Sequence, residues 1–517
     1  MPISGPELEG PAPLHDLLGH AASDMHDDTA LVSGISVWTW QPLKQQIETL
    51  AAHMLALGLQ PGDRVASLVP NCGELLVHYL ACLKAGLVVV PLNYRYTATN
   101  IDYALKVSEA QIMLFHAERF EDLEASEQAH QLSLGRNSVG GPVQGARSFE
   151  ELMHLDPPAA MMPEPDLNAL AFIFFTSGST GTPKGVMHSI RSFGAITASF
   201  AQAMCLTNED VVFPGGSISH VGGLSTAFAG LLVRAPVILD RRFDGDVVLP
   251  LLRKWRPTVL VALPAALIAL QQDHNAKRAD FSSLRLCITG GDKFPVNLEK
   301  GFSSLTGLEI KETYGLTEAA DCLFDPPNKE TKPGSVGIVC PGFSMSVRDS
   351  DGNEVEEGDL WLSGDPMFLG YWKDPKATAE AVQDGCFNTE DIMRVDADGY
   401  FWFVGRTKQI IVHDGSNIAP QEVEEAVMAH PAIELAGVVG VHDTVHGENV
   451  WAYASVKDGV ATPRSKDVVD LARKKIGYKA PEVVIFLDRI PLNATGKVDR
   501  LALKKLAAER LSAACAD

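Results

Sequence analysis

Through roughly the first 400 residues, short apolar runs rich in Val, Leu and Ile alternate with stretches of helical periodicity. "RVASLVP" (64–70) leads into "CGELLVHYLACLKAG" and then "LVVVPLN", while "TVLVALP" (258–264) leads into "AALIALQQD" and then "LRLCITGG". Continuous apolar strands joined by helices are the pattern of βαβ units whose parallel strands are buried on both faces. Right-handed crossovers then place ligands at the carboxyl ends of those strands. The expected class is α/β.

A chain of 517 residues exceeds what one core supports, so two or more domains are expected. Residues 117–165 are rich in Glu, Gln, Ser, Gly and Pro and read as a surface excursion rather than a boundary. A boundary fits better near "VGRTKQIIVHDGSNIAPQEVE". Beyond it, "QEVEEAVMAH" and "KDVVDLARKKIG" read as helices and "IELAGVVGV" and "WAYASVK" as strands, a small α+β unit. The expected division is 1–407 and 408–517. No internal repeat is visible.

Lys and Arg number 43 against 65 Asp and Glu, a formal net charge of -22 that repels nucleic-acid phosphates and anionic lipid over most of the surface. Nucleic acid is therefore not an expected partner, and any anionic ligand must be caught locally. The eight cysteines lack C-x-x-C spacing and read as reduced thiols, not a disulfide frame or zinc site. "MPISGPELEG" has no basic or apolar leader character, and "TVLVALPAALIAL" is too short and proline-broken to span a bilayer. The expectation is a cytoplasmic protein that is not integral to a membrane.

"FTSGSTGTPKGV" (175–186) follows the apolar run "LAFIFF" and crowds glycines, hydroxyls and one lysine together. Glycines let backbone N–H groups point inward and hydroxyls add donors, which suits an anion. The Walker A pattern fails, because Lys184 follows Pro183 and precedes Gly185. A flexible surface turn is the plain alternative for such a composition.

Five motifs in order, "TSGSTGTPKGV", "ETYGLTE", "GYWKDP", "GYFWFVGRTKQI" and "PLNATGKVDR", resemble those of the adenylate-forming superfamily of acyl- and aryl-CoA synthetases, luciferases and peptide-synthetase adenylation domains. The likeness runs from about Leu14 to about Leu506. It implies a large N-terminal domain of parallel and mixed sheets flanked by helices, with a smaller β subdomain, and a small mobile C-terminal domain carrying the catalytic lysine. It implies ATP, Mg²⁺ and CoA as cofactors, and a small carboxylic acid as the other partner. Such a reaction brings two anions together, so charge must be neutralised and attack geometry fixed.

By the same resemblance Thr176, Ser177, Gly178, Ser179, Thr180, Gly181 and Lys184 would hold the β- and γ-phosphates. Thr317 would contact the α-phosphate, Glu318 would bind Mg²⁺, and Tyr314 would stack on adenine among Glu312, Thr313 and Gly315. Gly290, Gly291 and Asp292 would wall the adenine. Asp391 would accept from the ribose hydroxyls and Arg406 would reach ribose or phosphate. Lys408 matches the hinge, and Lys497 in "NATGKVDR" matches the lysine that bridges carboxylate and α-phosphate. Three positions depart from the family's pattern: Glu390 and Asp414 stand for glycines, and Gln409 for an aspartate.

The acyl pocket is implied between "SISHVGGLS" and the residues after "YGLTE", with His220 gating the carboxylate and Gly222 and Gly223 leaving room for a fatty or aromatic tail. Amino-acid-activating relatives carry an aspartate in the first motif, and this chain does not. Asp321 is costly beside an apolar tail, so either it turns away or the substrate carries a polar or cationic group. The expected activity is an AMP-forming acid–thiol ligase working through an acyl-AMP. Alternatives are an adenylating enzyme that loads a carrier protein or uses the adenylate otherwise, and a nucleotide-binding regulator without turnover; Lys497, Glu318 and Asp391 argue against the last. No motif speaks to oligomeric state, a homodimer being one expectation.

Overall fold

A computed structural model describes residues 2–19, 21–176, 183–291, 296–413, 416–443, 447–493 and 496–514. Among the described residues the strands form four sheets of eight, nine, six and five strands. The βαβ rhythm is realised as expected. Strands Arg64–Leu68 and Val88–Pro91 pair in parallel across helix Gly73–Lys84. Val259–Val261 and Leu286–Gly290 do so across Pro264–Gln272. Val88–Pro91 is buried at every position, which is why its β-branched side chains show no alternation.

Residues 117–165 depart from the expected surface excursion. They carry helices Phe120–Glu124 and Phe149–His154, and strands Arg136–Val139 and Arg147–Ser148 that extend the edge of the eight-stranded sheet in parallel. The polar composition belongs to an edge with one solvated side, where apolar patterning fades.

The strand Leu170–Phe175 is followed not by a helix but by an antiparallel strand, Gly185–Ser189, with Phe175 opposite Gly185. The glycine-rich segment is thus the connection of a hairpin. In the nine-stranded sheet, Ile310–Leu316 lies parallel to Leu286–Gly290 and antiparallel to Ala320–Phe324, with a bulge at Tyr314 and Gly315. Gly315 is required there, since a Cβ would stand 2.4 Å from the Ala320 carbonyl oxygen. Bulges re-aim side chains, and this one precedes the turn that carries Thr317 and Glu318.

The six-stranded sheet is antiparallel and ends in the pair Cys386–Val395 and Phe401–Arg406. After it the chain makes a single 3-10 turn, Thr407–Gln409, and enters the five-stranded sheet through Ile411–His413. That last sheet has two apolar clusters of its own, one under helices Pro420–Met428 and Ser465–Ile476, the other under helix Arg500–Ala514. No residue of either cluster precedes Ile411. The mixed α/β architecture, with a large N-terminal part and a smaller C-terminal one, is as the sequence implies.

Candidate active site

Three sheets, and the turn that carries Lys497, contribute side chains to one region. Asp391 and Arg406 sit opposite each other on the antiparallel pair that closes the six-stranded sheet, so register alone brings them together. Arg406 Nε lies 2.8 Å from Asp391 Oδ1. The Tyr314 hydroxyl, from the nine-stranded sheet, donates to Asp391 Oδ2 at 2.5 Å. Burial pushes the Asp391 carboxyl up, and the Arg406 charge and the Tyr314 hydroxyl work against that. Although paired with Arg406, Oδ1 accepts no hydrogen bond of regular geometry among the described residues. One carboxylate oxygen is held by the Tyr314 hydroxyl, and the other, buried beside the Arg406 guanidinium, keeps unfilled hydrogen-bonding capacity.

Tyr314 also stacks its ring against Phe403 at 6.2 Å between centroids. Its hydroxyl contact with a residue 77 positions away has no local sequence signal. Glu390, next to Asp391, adopts φ 59°, the left-handed conformation that glycine favours. The backbone shape is therefore kept despite the glutamate, held by Asn388 Oδ1 accepting from the Glu390 N–H and Thr389 Oγ1 from the Asp391 N–H.

The Thr317–Glu318 turn faces the hairpin. Glu318 is buried and accepts from the Tyr371 hydroxyl at 2.8 Å, while Lys184 Nζ lies 4.6 Å from the centre of the Tyr371 ring. Burial raises the Glu318 carboxyl; Tyr371, Arg406 and Lys184 oppose the rise. Behind the turn, His188 Nε2 meets the Thr317 carbonyl oxygen at 2.8 Å. Burial takes His188 down to about 4, so its ring is neutral and Nε2 donates. Neither Tyr371 nor His188 was singled out from sequence. Tyr371 lies within "GYWKDP", and alternation along Gly185–Ser189 puts Val186 and His188 on its inner face.

At the hairpin base the Thr176 N–H donates to the Lys184 carbonyl at 3.0 Å, and the Tyr103 hydroxyl to the Pro183 carbonyl at 2.7 Å. Ser177, Gly178, Ser179, Thr180, Gly181, Asp292 and Asp414 lie outside the described residues. Gly290 closes its strand opposite Thr313, with Glu312 opposite Thr289, and Gly291 follows with φ 82°. Lys408 lies within the Thr407–Gln409 turn. Gln409 Oε1 is buried without a hydrogen bond among the described residues.

His220 occupies the N-cap position of helix Val221–Leu232 but makes no capping hydrogen bond through its side chain. Its Nε2 lies 3.3 Å from Asn93 Nδ2. The ring lines a small cavity with Asn93, Tyr96, Phe174, Phe175 and Thr317. Burial lowers the imidazole, and the Lys497 charge lowers it further. Gly223 permits the helix to approach the Ser217 carbonyl, which a Cβ would meet at 2.3 Å. Asp321 Oδ2 stands 3.5 Å from where a Gly222 Cβ would be. Asp321 retains some solvent exposure, yet protein surrounds its carboxyl closely enough that burial pushes it up to about 6. It therefore does not turn away from the helix.

Lys497 sits in a turn whose Asn493 side chain accepts from the Lys497 N–H at 3.0 Å, with the Asn493 N–H donating to the Lys497 carbonyl. Its positive charge is felt by both His220 and Asp391.

Residues 18–372 match the model of the AMP-binding enzyme family, and 422–497 that of the AMP-binding enzyme C-terminal domain. The chain belongs to the AMP-binding enzyme family. This AMP-binding enzyme is 33% identical to a feruloyl-CoA synthase of an Amycolatopsis species, over 93% of its own length and 94% of the relative's. It is 29% identical to a long-chain-fatty-acid–CoA ligase of Bacillus subtilis, over 95% and 94% of the two chains. Among solved structures, ATP-bound MatB from Rhodopseudomonas palustris superposes with a TM-score of 0.88 at 29% identity, over 96% of this chain and 99% of that one. Apo MatB gives 0.78. The arrangement of this AMP-binding enzyme is thus nearer the ATP-bound form.

Proposed function

We propose that this AMP-binding enzyme is an ATP-dependent carboxylic acid:CoA ligase that joins an acid to AMP with release of pyrophosphate, then passes the acyl group to CoA. The observation that carries the proposal is the position of Lys497, whose charge reaches both the cavity residue His220 and the carboxylate corner at Asp391. A cation so placed serves an attack in which a carboxylate oxygen displaces pyrophosphate from the α-phosphorus: it offsets the repulsion of two anions and the charge that develops between them. Lys497 holds that position as long as the 408–517 unit keeps this orientation on 1–407, with Lys408 as the hinge.

The remaining roles are those that the resemblance to the family implies for these residues. Asp391 takes the ribose hydroxyls on Oδ1, with Arg406 holding the carboxylate charged. Tyr314, fixed through its hydroxyl, presents its ring to adenine beside Glu312, Thr313, Gly315, Gly290 and Gly291. Thr317 faces the α-phosphate, and Thr176 and Lys184 frame the β- and γ-phosphates. Among the described residues no group of three or more His, Cys, Asp or Glu is placed to hold a metal ion. A single carboxylate, Glu318, fits Mg²⁺ that completes its shell with phosphate oxygens and water, and that ion would neutralise the leaving pyrophosphate. His220, neutral at pH 7, positions the incoming carboxylate at the cavity. The apolar walls Phe174, Phe175 and Tyr96 suit a fatty or aromatic tail.

The seven described cysteines are all free, which supports a reducing compartment and a cytoplasmic setting. No helix of the described residues is long and apolar enough to cross a membrane. A homodimer is proposed as the assembly, to be read by light scattering.

The test is pyrophosphate release dependent on an acid but not on CoA, followed by acyl thioester and AMP formation when CoA is added. Acid-dependent pyrophosphate release that continues undiminished in Lys497→Ala overturns the role of Lys497. Thioester formation on a carrier protein but not on CoA overturns the second half-reaction.

A further inference from the structure

The carboxylate of Asp321 has no cationic partner in the contacts of the described residues. Asp391 faces Arg406, and Glu318 feels both Arg406 and Lys184. The contacts of Asp321 reduce to one hydroxyl, Thr313 Oγ1, at 3.3 Å from Oδ1. That hydroxyl is also 2.7 Å from the Leu323 carbonyl oxygen. A hydroxyl carries one proton, and the shorter contact takes it. An ionised Asp321 therefore receives no full hydrogen bond from the described residues, and only a protonated Asp321 is satisfied, by donating to Thr313 Oγ1.

The other oxygen, Oδ2, looks across to the start of helix Val221–Leu232. At Gly222 the place a Cβ would occupy is open space except for this oxygen at 3.5 Å. Gly222 is the residue after the cavity-lining Val221, and Asp321 stands four positions past the cavity-lining Thr317 on the next strand. Neither Gly222 nor Asp321 lines the cavity that holds His220, but each follows closely on a residue that does. A carboxylate facing open space between two pocket elements, with its hydrogen-bonding capacity unspent, is costly against an apolar tail and favourable against a donor.

We propose that Asp321 and the gap left by Gly222 form a polar subsite that accepts a hydrogen bond from a hydroxyl or amino group on the acyl tail, so that the acid is one bearing such a donor rather than a plain hydrocarbon. The inference rests on the ligase function proposed above and narrows its substrate. Asp321 is a specificity-determining residue: it touches the tail, away from the carboxylate that reacts.

The experiment is acid-dependent pyrophosphate release by the full chain with matched acids: benzoic and cinnamic acids against their ring-hydroxy and ring-amino counterparts, and octanoic against 8-hydroxyoctanoic acid. The expected result is a kcat/KM at least about 10-fold higher for a donor-bearing acid than for its unsubstituted partner, the size of a hydrogen bond to a charged acceptor. Asp321→Leu is expected to lower that ratio by about 10-fold or more, chiefly by raising KM for the donor-bearing acid and lowering it for the plain one. Asp321→Asn, which keeps shape and an acceptor oxygen, is expected to give an intermediate ratio and serves if the leucine variant does not fold. Equal use of matched partners by the unchanged enzyme, or an unaltered preference in both variants, overturns the subsite and leaves the ligase function standing. No pyrophosphate release with any acid overturns the ligase function and the subsite with it.

Discussion

Asp391 and Asp321 are carboxylates raised by burial, and each is met by a hydroxyl of the strand Ile310–Leu316, from Tyr314 and Thr313 respectively, yet they are treated differently. Asp391 is met by Arg406 across a strand pair and by the Tyr314 hydroxyl. Asp321 is met by a threonine whose proton is already given to Leu323. On the proposed function the first carboxylate serves a ligand part that never changes, and Arg406 opposes the loss of its charge on burial. The second is left short of partners, and its state depends on what arrives. Invariant and variable ends of a reaction can thus be told apart by how completely the protein satisfies the charge at each.

The comparison is broken most readily at Lys497, the cation felt at Asp391 and at the cavity residue His220 but not at Asp321. Lys497→Ala is expected to lower acid-dependent pyrophosphate release by about 10²–10³-fold, the range for removing one group that stabilises developing charge. Transfer to CoA from a supplied acyl-adenylate is expected to fall far less, and equal loss in both assays would contradict the division of labour. Next in size, Asp391→Asn is expected to raise the KM for ATP by about 10–100-fold. A matching change in preference among acids would show that the two carboxylates are not separate in function.

A smaller effect distinguishes them by stability. The folded Asp321 value of about 6 lies above its ordinary 3.8. Whatever the protonated carboxyl contributes is fully present below the ordinary value and lost as pH rises through about 6. Asp321→Asn should therefore stabilise the folded chain by about 3 kcal/mol at pH 8 and by under about 1 kcal/mol at pH 4. Thermal melts at the two pH values check the sign, and a loss of stability at pH 8 would refute it. The smallest effect is expected at Glu390→Gly. Relief of the left-handed strain, about 1–2 kcal/mol, is partly offset by the extra chain entropy of glycine, about 0.5–1 kcal/mol, leaving a gain of about 0.5 kcal/mol in a denaturant titration.

Much of this was legible before the fold. The parallel strands were, because burial on both faces writes itself as unbroken Val and Leu. Asp391, Arg406, Thr317, Glu318 and Lys497 were singled out by resemblance, and the structure gathers them into one region. Less legible was whatever depends on two distant segments meeting. The Tyr314–Asp391 bond joins different sheets, and the Tyr371–Glu318 bond spans 53 positions. His188 reads as one more inward residue of a short strand until its Nε2 is seen on the Thr317 carbonyl. The edge strands within 117–165 were hidden by polar composition, and nothing in "FTSGSTGTPKGV" signals that the strand Gly185–Ser189 returns antiparallel to Leu170–Phe175. The neglected proton count at Thr313 is a matter of atoms, which no spacing encodes.

The three-residue turn Thr407–Gln409 has a consequence for timing. Arg406 stands immediately before it and Lys497 well after it, and among the described residues no buried apolar cluster spans the two sides. A rotation at that turn would carry Lys497 away while leaving Asp391 and Arg406 paired, without opening either core. The site would then lose the cation needed to join the two anions but keep the one that holds the nucleotide. Removing a single charge in this way would make the adenylation step hard to reverse once pyrophosphate has gone, so the direction of the reaction would be set by a joint three residues long.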